Sequence, residues 1–225
     1  MLKNITVALA LVASSTTFAR TLLLPDLVTS RKNLSDNSID RYTKPGRILL
    51  RLSNGVANIG KGRLEMRGGS VVDGKQRVDL RIFYDDGTYY SRFSGYYVFH
   101  SQHNHTHFEG FARYRLREIE GSIGVGEVVA ESSKVSFCMY DEYIFDSSLD
   151  NFRNYRRYNS CGTGVQGLSV GWKDVYGKSL ADQWIDITGV DSGVYWLEST
   201  ADPYNRIRES NGANNTSRIK ISISL

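Results

Sequence analysis

The sequence predicts an all-β fold, an antiparallel β-sandwich with long loops and little helix. Three observations predict it: apolar and polar residues alternate in several short runs, turn residues separate those runs, and helix signals are weak throughout.

The chain opens with a segment expected to stand outside the fold. Lys3 gives a positive start, Val7 to Val12 an apolar core, and Thr17-Phe18-Ala19 an end that a signal peptidase accepts, so residues 1–19 read as a cleaved signal peptide. Its apolar run is well short of the roughly 20 residues needed to cross a bilayer. No later run is long enough either, so no membrane span is expected. The remaining 206 residues (225 − 19), residues 20–225, are expected to form one domain with a sizeable core.

Within that domain Ile48, Leu50 and Leu52 alternate with Leu49 and Arg51, the pattern of a half-buried strand. Val78 to Tyr84 and Thr88 to Tyr90 flank Asp85-Asp86-Gly87, whose Asp-Gly pair signals a hairpin. Further strands are expected at Tyr96 to Phe99, His105 to Leu116, Lys134 to Tyr140, Trp184 to Ile187 and Val194 to Leu197. At the C-terminus Ile219, Ile221, Ile223 and Leu225 alternate with polar residues. The segment from Asp141 to Gly164 has no clear period and reads as a long surface loop.

Net charge is +4, falling to +3 once Lys3 is removed, with both signs interspersed. Nucleic-acid binders concentrate Lys and Arg on one face; here the densest basic cluster is Arg153, Arg156 and Arg157, interleaved with Tyr155 and Tyr158, which reads as a solvated loop. No nucleic-acid partner is expected. In an exported chain two cysteines tend to oxidise, so Cys138 and Cys161 read as one disulfide. They lack the close Cys-x-x-Cys spacing of a zinc site.

All four histidines fall within eight residues, His100-Ser-Gln-His103-Asn-His105-Thr-His107. On an extended strand His103, His105 and His107 project from one face, and a bend or bulge can aim three imidazoles at one ion. His100 is out of phase and is expected to point elsewhere. With no Asp or Glu between the histidines, an oxygen-rich calcium or magnesium site is disfavoured, and copper or zinc remains. Adventitious surface metal binding or a pH-sensitive face is the lesser alternative, and three imidazoles with an open coordination position would support redox or hydrolytic chemistry equally well.

Along most of its length the sequence resembles the catalytic domain of the lysyl oxidases, copper-dependent amine oxidases. The resemblance runs from Leu24-Pro25-Asp26-Leu27-Val28 and Arg47-Ile-Leu-Leu-Arg51 to the histidine run. It continues through Lys134-Val-Ser-Phe-Cys138, Gln166-Gly-Leu-Ser169, Asp174-Val-Tyr176-Gly177 and Gln183-Trp-Ile-Asp-Ile-Thr188, and closes with Glu209-Ser210 and Asn214-Asn215. It implies that copper(II) is held by His103, His105 and His107 and that Lys134 and Tyr176 crosslink into lysine tyrosylquinone, a cofactor made from protein side chains. It also matches Cys138 and Cys161 to a family disulfide. The implied reaction turns lysine side chains of a protein, or small primary amines, into aldehydes, with dioxygen reduced to hydrogen peroxide and ammonia released. A carbonyl cofactor is needed because none of the twenty side chains supplies one.

Asp174, two residues from Tyr176 and on its side of an extended segment, is a candidate base; an aspartate in a turn is the plainer explanation. The low cysteine content, Gln102 where animal members carry cysteine, and the sequon Asn104-His105-Thr106 inside the implied copper site suggest a minimal, bacterial form, secreted or periplasmic. The competing reading is a secreted copper-binding protein in which no quinone forms. It would tolerate loss of Lys134 or Tyr176.

Overall fold

The computed structural model describes residues 19–132 and 136–225. The expected signal peptide therefore lies outside the described residues except for Ala19, and so does Lys134. Among the described residues no helix is long and apolar enough to cross a membrane. One short helix, Arg31–Leu34, is capped by the Ser30 hydroxyl, which accepts the Asn33 N–H at 3.3 Å.

The rest of the regular structure is antiparallel sheet, as expected. The largest sheet runs in the order Val165–Leu168, Leu64–Val72, Lys75–Tyr84, Tyr89–His100, His105–Phe108, with Leu22–Leu23 beside Lys75–Tyr84. A second sheet orders Gly124–Glu131, Ala112–Glu120, Gly193–Ala201 and Thr216–Ile223. A third orders Tyr143–Ile144, Trp172–Tyr176, Asn54–Asn58 and Leu27–Thr29, and a fourth Trp184–Asp186, Leu49–Leu52 and Asn37–Asp40. All four contribute to one apolar cluster. Met66, Leu80 and Phe108 come from the first sheet, Leu116 and Leu197 from the second, Val56 and Trp172 from the third, and Leu52 and Ile185 from the fourth. Burial of these side chains, each stabilising by roughly 1.5–3 kcal/mol before ordering costs, is what joins the sheets into one domain.

The Asp-Gly hairpin forms, with longer arms than the sequence suggests. Gly87 takes φ +81°, and the Asp86 carboxylate accepts the Thr88 N–H at 2.9 Å. Two strand expectations need correction. The run from His105 to Leu116 is not one strand: it breaks at Gly110, whose φ of +77° turns the chain from the first sheet into the second. A Cβ there would meet the Tyr204 ring at 2.9 Å, so glycine is required by space as well as by conformation. In the expected Lys134 to Tyr140 strand, the described part makes only an isolated bridge, Phe137 to Phe108. Phe137 is pinned there by reciprocal backbone hydrogen bonds of 2.6 and 3.1 Å.

The Asp141 to Gly164 segment is irregular apart from Tyr143–Ile144, but it is not wholly superficial. Asp141 and Tyr158 are buried, because the Asp141 carboxylate accepts the backbone N–H groups of Arg157, Tyr158 and Ser169 at 2.9, 3.2 and 2.7 Å. Burying an anion requires such partners.

Cys138 and Cys161 form the expected disulfide, closing a loop with a sequence separation of 23. Cys161 is also tied by its carbonyl to the Thr106 N–H at 3.2 Å. Substituting both cysteines by serine is expected to lower the unfolding free energy by about 3 kcal/mol, from loop-closure entropy alone. Urea titration of the variant would check this, and unchanged stability would mean that the loop is ordered without the bridge.

Candidate metal centre

The histidines are gathered by a turn rather than by strand alternation alone. Tyr89–His100 ends at His100, residues 101–104 reverse the chain, and His105 pairs directly with His100 as the return strand begins. The turn is closed by the His103 N–H donating to the His100 carbonyl at 3.1 Å, and Asn104 adopts φ +53°. Asparagine tolerates that left-handed conformation better than most side chains, which gives Asn104 a conformational reason to be there. His103 thus reaches the site from the turn, while His105 and His107 alternate along their strand to the same side.

The ligand atoms of His103, His105 and His107 all lie within 4.8 Å of one another. Nδ1 of His103 is 3.4 Å from Nε2 of His107. Two nitrogens each about 2 Å from a tetrahedral ion would stand about 3.3 Å apart, so this pair already has ligand spacing. The outer nitrogens are engaged by the protein: Nε2 of His103 faces the Ala181 carbonyl at 3.2 Å, and Nδ1 of His107 faces the Ser136 hydroxyl at 3.3 Å. Such outer contacts fix ring orientation and leave the inner nitrogens for an ion. With no carboxylate or thiolate among the three, the set fits copper or zinc rather than calcium or magnesium.

His100 does not point elsewhere. Because the turn pairs it with His105, its ring stacks on His107, centroids 4.7 Å apart, and its Nε2 lies 3.9 Å from the Asp182 carboxylate. Strand phase alone predicted otherwise, since it took no account of the reversal at Ser101.

Tyr176 stands beside the triad, its ring centroid 6.3 Å from that of His103 and 6.1 Å from that of His107. It comes from a different sheet and is 5 % exposed. Its hydroxyl accepts the Cys138 N–H at 2.8 Å and donates to the Cys138 carbonyl at 3.3 Å, while Phe137 packs edge-on at 4.3 Å. Burial, followed by the nearby charge of Asp174, holds the phenol pKa well above its usual value. At neutral pH it is therefore a neutral phenol. Tyr176, His103, His105 and Tyr140 line one cleft of about 600 Å³, which Leu180 and Ala181 wall on another side.

Asp174 lies on the same strand face as Tyr176 and is 3 % exposed; it is in a ladder with Val56, not in a turn. Its Oδ1 has no hydrogen-bond partner among the described residues. Burial, then the charges of Glu142 and Asp141, push its pKa well above the usual carboxylate range, against a smaller lowering by the Val175 N–H. Sequence reasoning did not single out Ser136, Phe137, Ala181 or Asp182. Each acts through a contact with a distant segment, which no local pattern announces. Lys134 lies outside the described residues; Ser136 and Cys138, in the same motif, touch His107 and Tyr176 respectively.

A sequence profile of the family described as Lysyl oxidase matches residues 90–224, a span containing every residue singled out for the site. Lysyl oxidase homolog 1 of Homo sapiens is 38% identical over 123 residues, 54% of this chain and 20% of that protein. Protein-lysine 6-oxidase of Gallus gallus is 38% identical over 123 residues, 54% of this chain and 27% of that protein. Lysyl oxidase homolog 4 of Mus musculus is 35% identical over 125 residues, 55% of this chain and 15% of that protein. The match thus spans between 15% and 27% of the length of these relatives.

The raised Asp174 pKa has a consequence for stability. An unfolded aspartate ionises near pH ~3.9. Above that pH the unfolded chain loses a proton that the folded chain retains, so this group makes stability fall as pH rises, up to the folded pKa. Asp174→Asn cannot ionise, so its unfolding free energy relative to the unsubstituted protein is expected to increase from pH 4 to pH 8. Parallel stability profiles would show that Asp174 is ionised in the folded state.

Proposed function

This chain belongs to the lysyl oxidase family, and on that premise we propose that it is an extracytoplasmic, copper(II)-dependent amine oxidase. Its reaction is the oxidative deamination of peptidyl lysine or another primary amine to an aldehyde, with dioxygen as oxidant. One observation carries the reading: the ligand atoms of three imidazoles stand within 4.8 Å of one another beside a buried tyrosine, at the wall of a cleft. The disulfide suits an oxidising compartment.

Copper and a lysine tyrosylquinone derived from Lys134 and Tyr176 would supply the carbonyl and the electron sink that ordinary side chains lack. The protein's own residues do the remaining work. His103, His105 and His107 hold the ion, with Ala181 and Ser136 fixing the rings of His103 and His107. Cys138 sets the direction of the Tyr176 phenol. Support for Lys134 is the motif that it shares with Ser136 and Cys138. Asp174, two residues along the strand from Tyr176, is assigned as proton acceptor in its ionised form; its raised proton affinity makes it a stronger base once ionised, so turnover is expected to rise with pH. Tyr140, whose hydroxyl is pushed up to about 12 by burial and then by Asp174 and Glu142, remains a neutral donor at the cleft wall.

The first test is to load the mature protein with copper in air, treat it with phenylhydrazine, and map the adduct by peptide mass spectrometry. The adduct is expected on a peptide in which Lys134 and Tyr176 are crosslinked, and either Lys134→Ala or Tyr176→Phe should abolish it while copper is retained. Bound copper with both residues unmodified would overturn the quinone and favour the copper-binding reading. Asp174→Asn is expected to keep copper and adduct while amine turnover falls at least about 100-fold. Undiminished turnover would remove Asp174 from the reaction.

A further inference from the structure

The arginines at 153 and 157 are exposed on an irregular segment, as the sequence suggests, and also line a pocket with Lys61 and Arg63. It encloses about 180 Å³, has Tyr155 and Phe83 among its walls, and no carboxylate lines it. Two acidic groups nearby have partners of their own. Glu65 is shared by Arg63, Arg67 and Arg81 at 3.4, 3.2 and 3.4 Å, and it accepts the Tyr158 hydroxyl at 2.9 Å. Asp141 is consumed by backbone N–H groups, that of Arg157 included. Four basic side chains thus line the pocket with no acidic one among its lining residues.

The pocket is also built rather than incidental. The Arg157 guanidinium donates to the Tyr155 hydroxyl at 3.0 Å, and Arg153 donates to the Phe152 carbonyl at 3.0 Å. The Arg153 carbonyl is held by the Trp172 indole at 3.0 Å, and the Lys61 carbonyl by the Asn151 amide at 3.0 Å. Arg63 lies over the Phe83 ring, its guanidinium carbon 3.4 Å from the centroid. These contacts partly orient the guanidinium groups, whose planar fork suits a carboxylate.

Position relates the pocket to the metal centre. Arg157 also lines a neighbouring hollow that includes Asn159 and Ser160, and those two residues line the cleft of His103 and Tyr176. From Arg157 to Ser160 the chain can span at most about 10 Å, close to three residues of an extended peptide laid alongside.

We propose that this pocket receives acidic side chains of a polypeptide substrate, about three residues along from the lysine that enters the cleft. The proposal rests on the amine-oxidase reading and adds to it a charge rule for the substrate.

The test uses the copper-loaded mature protein and short peptides with a central lysine. One pair of peptides carries two glutamates, or two glutamines, about three residues before the lysine; a second pair carries them after it. Binding is measured by calorimetry and oxidation by aldehyde release, with a small primary amine as reference. On one side the glutamate peptide is expected to bind about tenfold more tightly than its glutamine twin, the weight of two or three exposed ion pairs. Arg153→Ala with Arg157→Ala should erase that preference and leave turnover of the small amine unchanged. Equal binding of the paired peptides, or a preference that survives the double substitution, overturns the proposal. If the preference and its loss are both seen but no amine is oxidised, the pocket stands and the oxidase reading fails. If amines are oxidised with no charge preference, the reading stands and the pocket proposal fails.

Discussion

The phenol of Tyr176 is held between the N–H and the carbonyl of one residue, Cys138, and Cys138 is bonded through its sulfur to Cys161, whose own carbonyl anchors Thr106. Thr106 stands between His105 and His107. A short covalent and hydrogen-bonded circuit therefore links the tyrosine of one sheet to the imidazoles of another. The phenol is buried, so losing its partner would leave the Cys138 N–H unsatisfied, at a cost of roughly 1–3 kcal/mol. Phe137 closes the circuit from the core side, bridging to Phe108 just beyond His107.

The same burial that secures this circuit sets its electrostatics. Tyr114, Tyr140 and Tyr176 all feel Asp174, and each has its pKa raised by desolvation first and by that carboxyl second or later. A group of neutral phenols around a reluctant carboxyl keeps net charge out of the interior next to an imidazole cluster that is suited to a cation. A cation held there would meet the triad first, with the outer contacts at Ala181 and Ser136 orienting two of its rings.

What could be read from the sequence divides along physical lines. The hairpin at Gly87, the strand at Leu50 and the C-terminal alternation were legible because each is encoded within a few residues. The disulfide was legible from compartment and number, there being only two cysteines to pair. The three histidines named from the sequence do come together, for a partly mistaken reason: strand phase accounts for His105 and His107, whereas His103 arrives through a turn that also brings back His100. Gly110 hid a change of sheet, since a single positive φ leaves the alternation on either side intact. The contacts of Ser136, Ala181 and Asp182 could not be read at all, because they depend on segments 29 or more residues away meeting the histidines.

The hairpin that carries the imidazoles has one more consequence, for the order of assembly. His103 to His107 spans five residues, whereas Tyr176 lies 69 residues beyond His107 (176 − 107). Loop-closure entropy rises by about 0.6 kcal/mol for each doubling of length, so the longer closure is disfavoured by roughly 2 kcal/mol more. The histidine hairpin is a local, low-contact-order element that a nascent chain can complete early, and the phenol joins it only with the global fold. The imidazole cluster and its tyrosine neighbour are thereby separated in folding time by the topology itself.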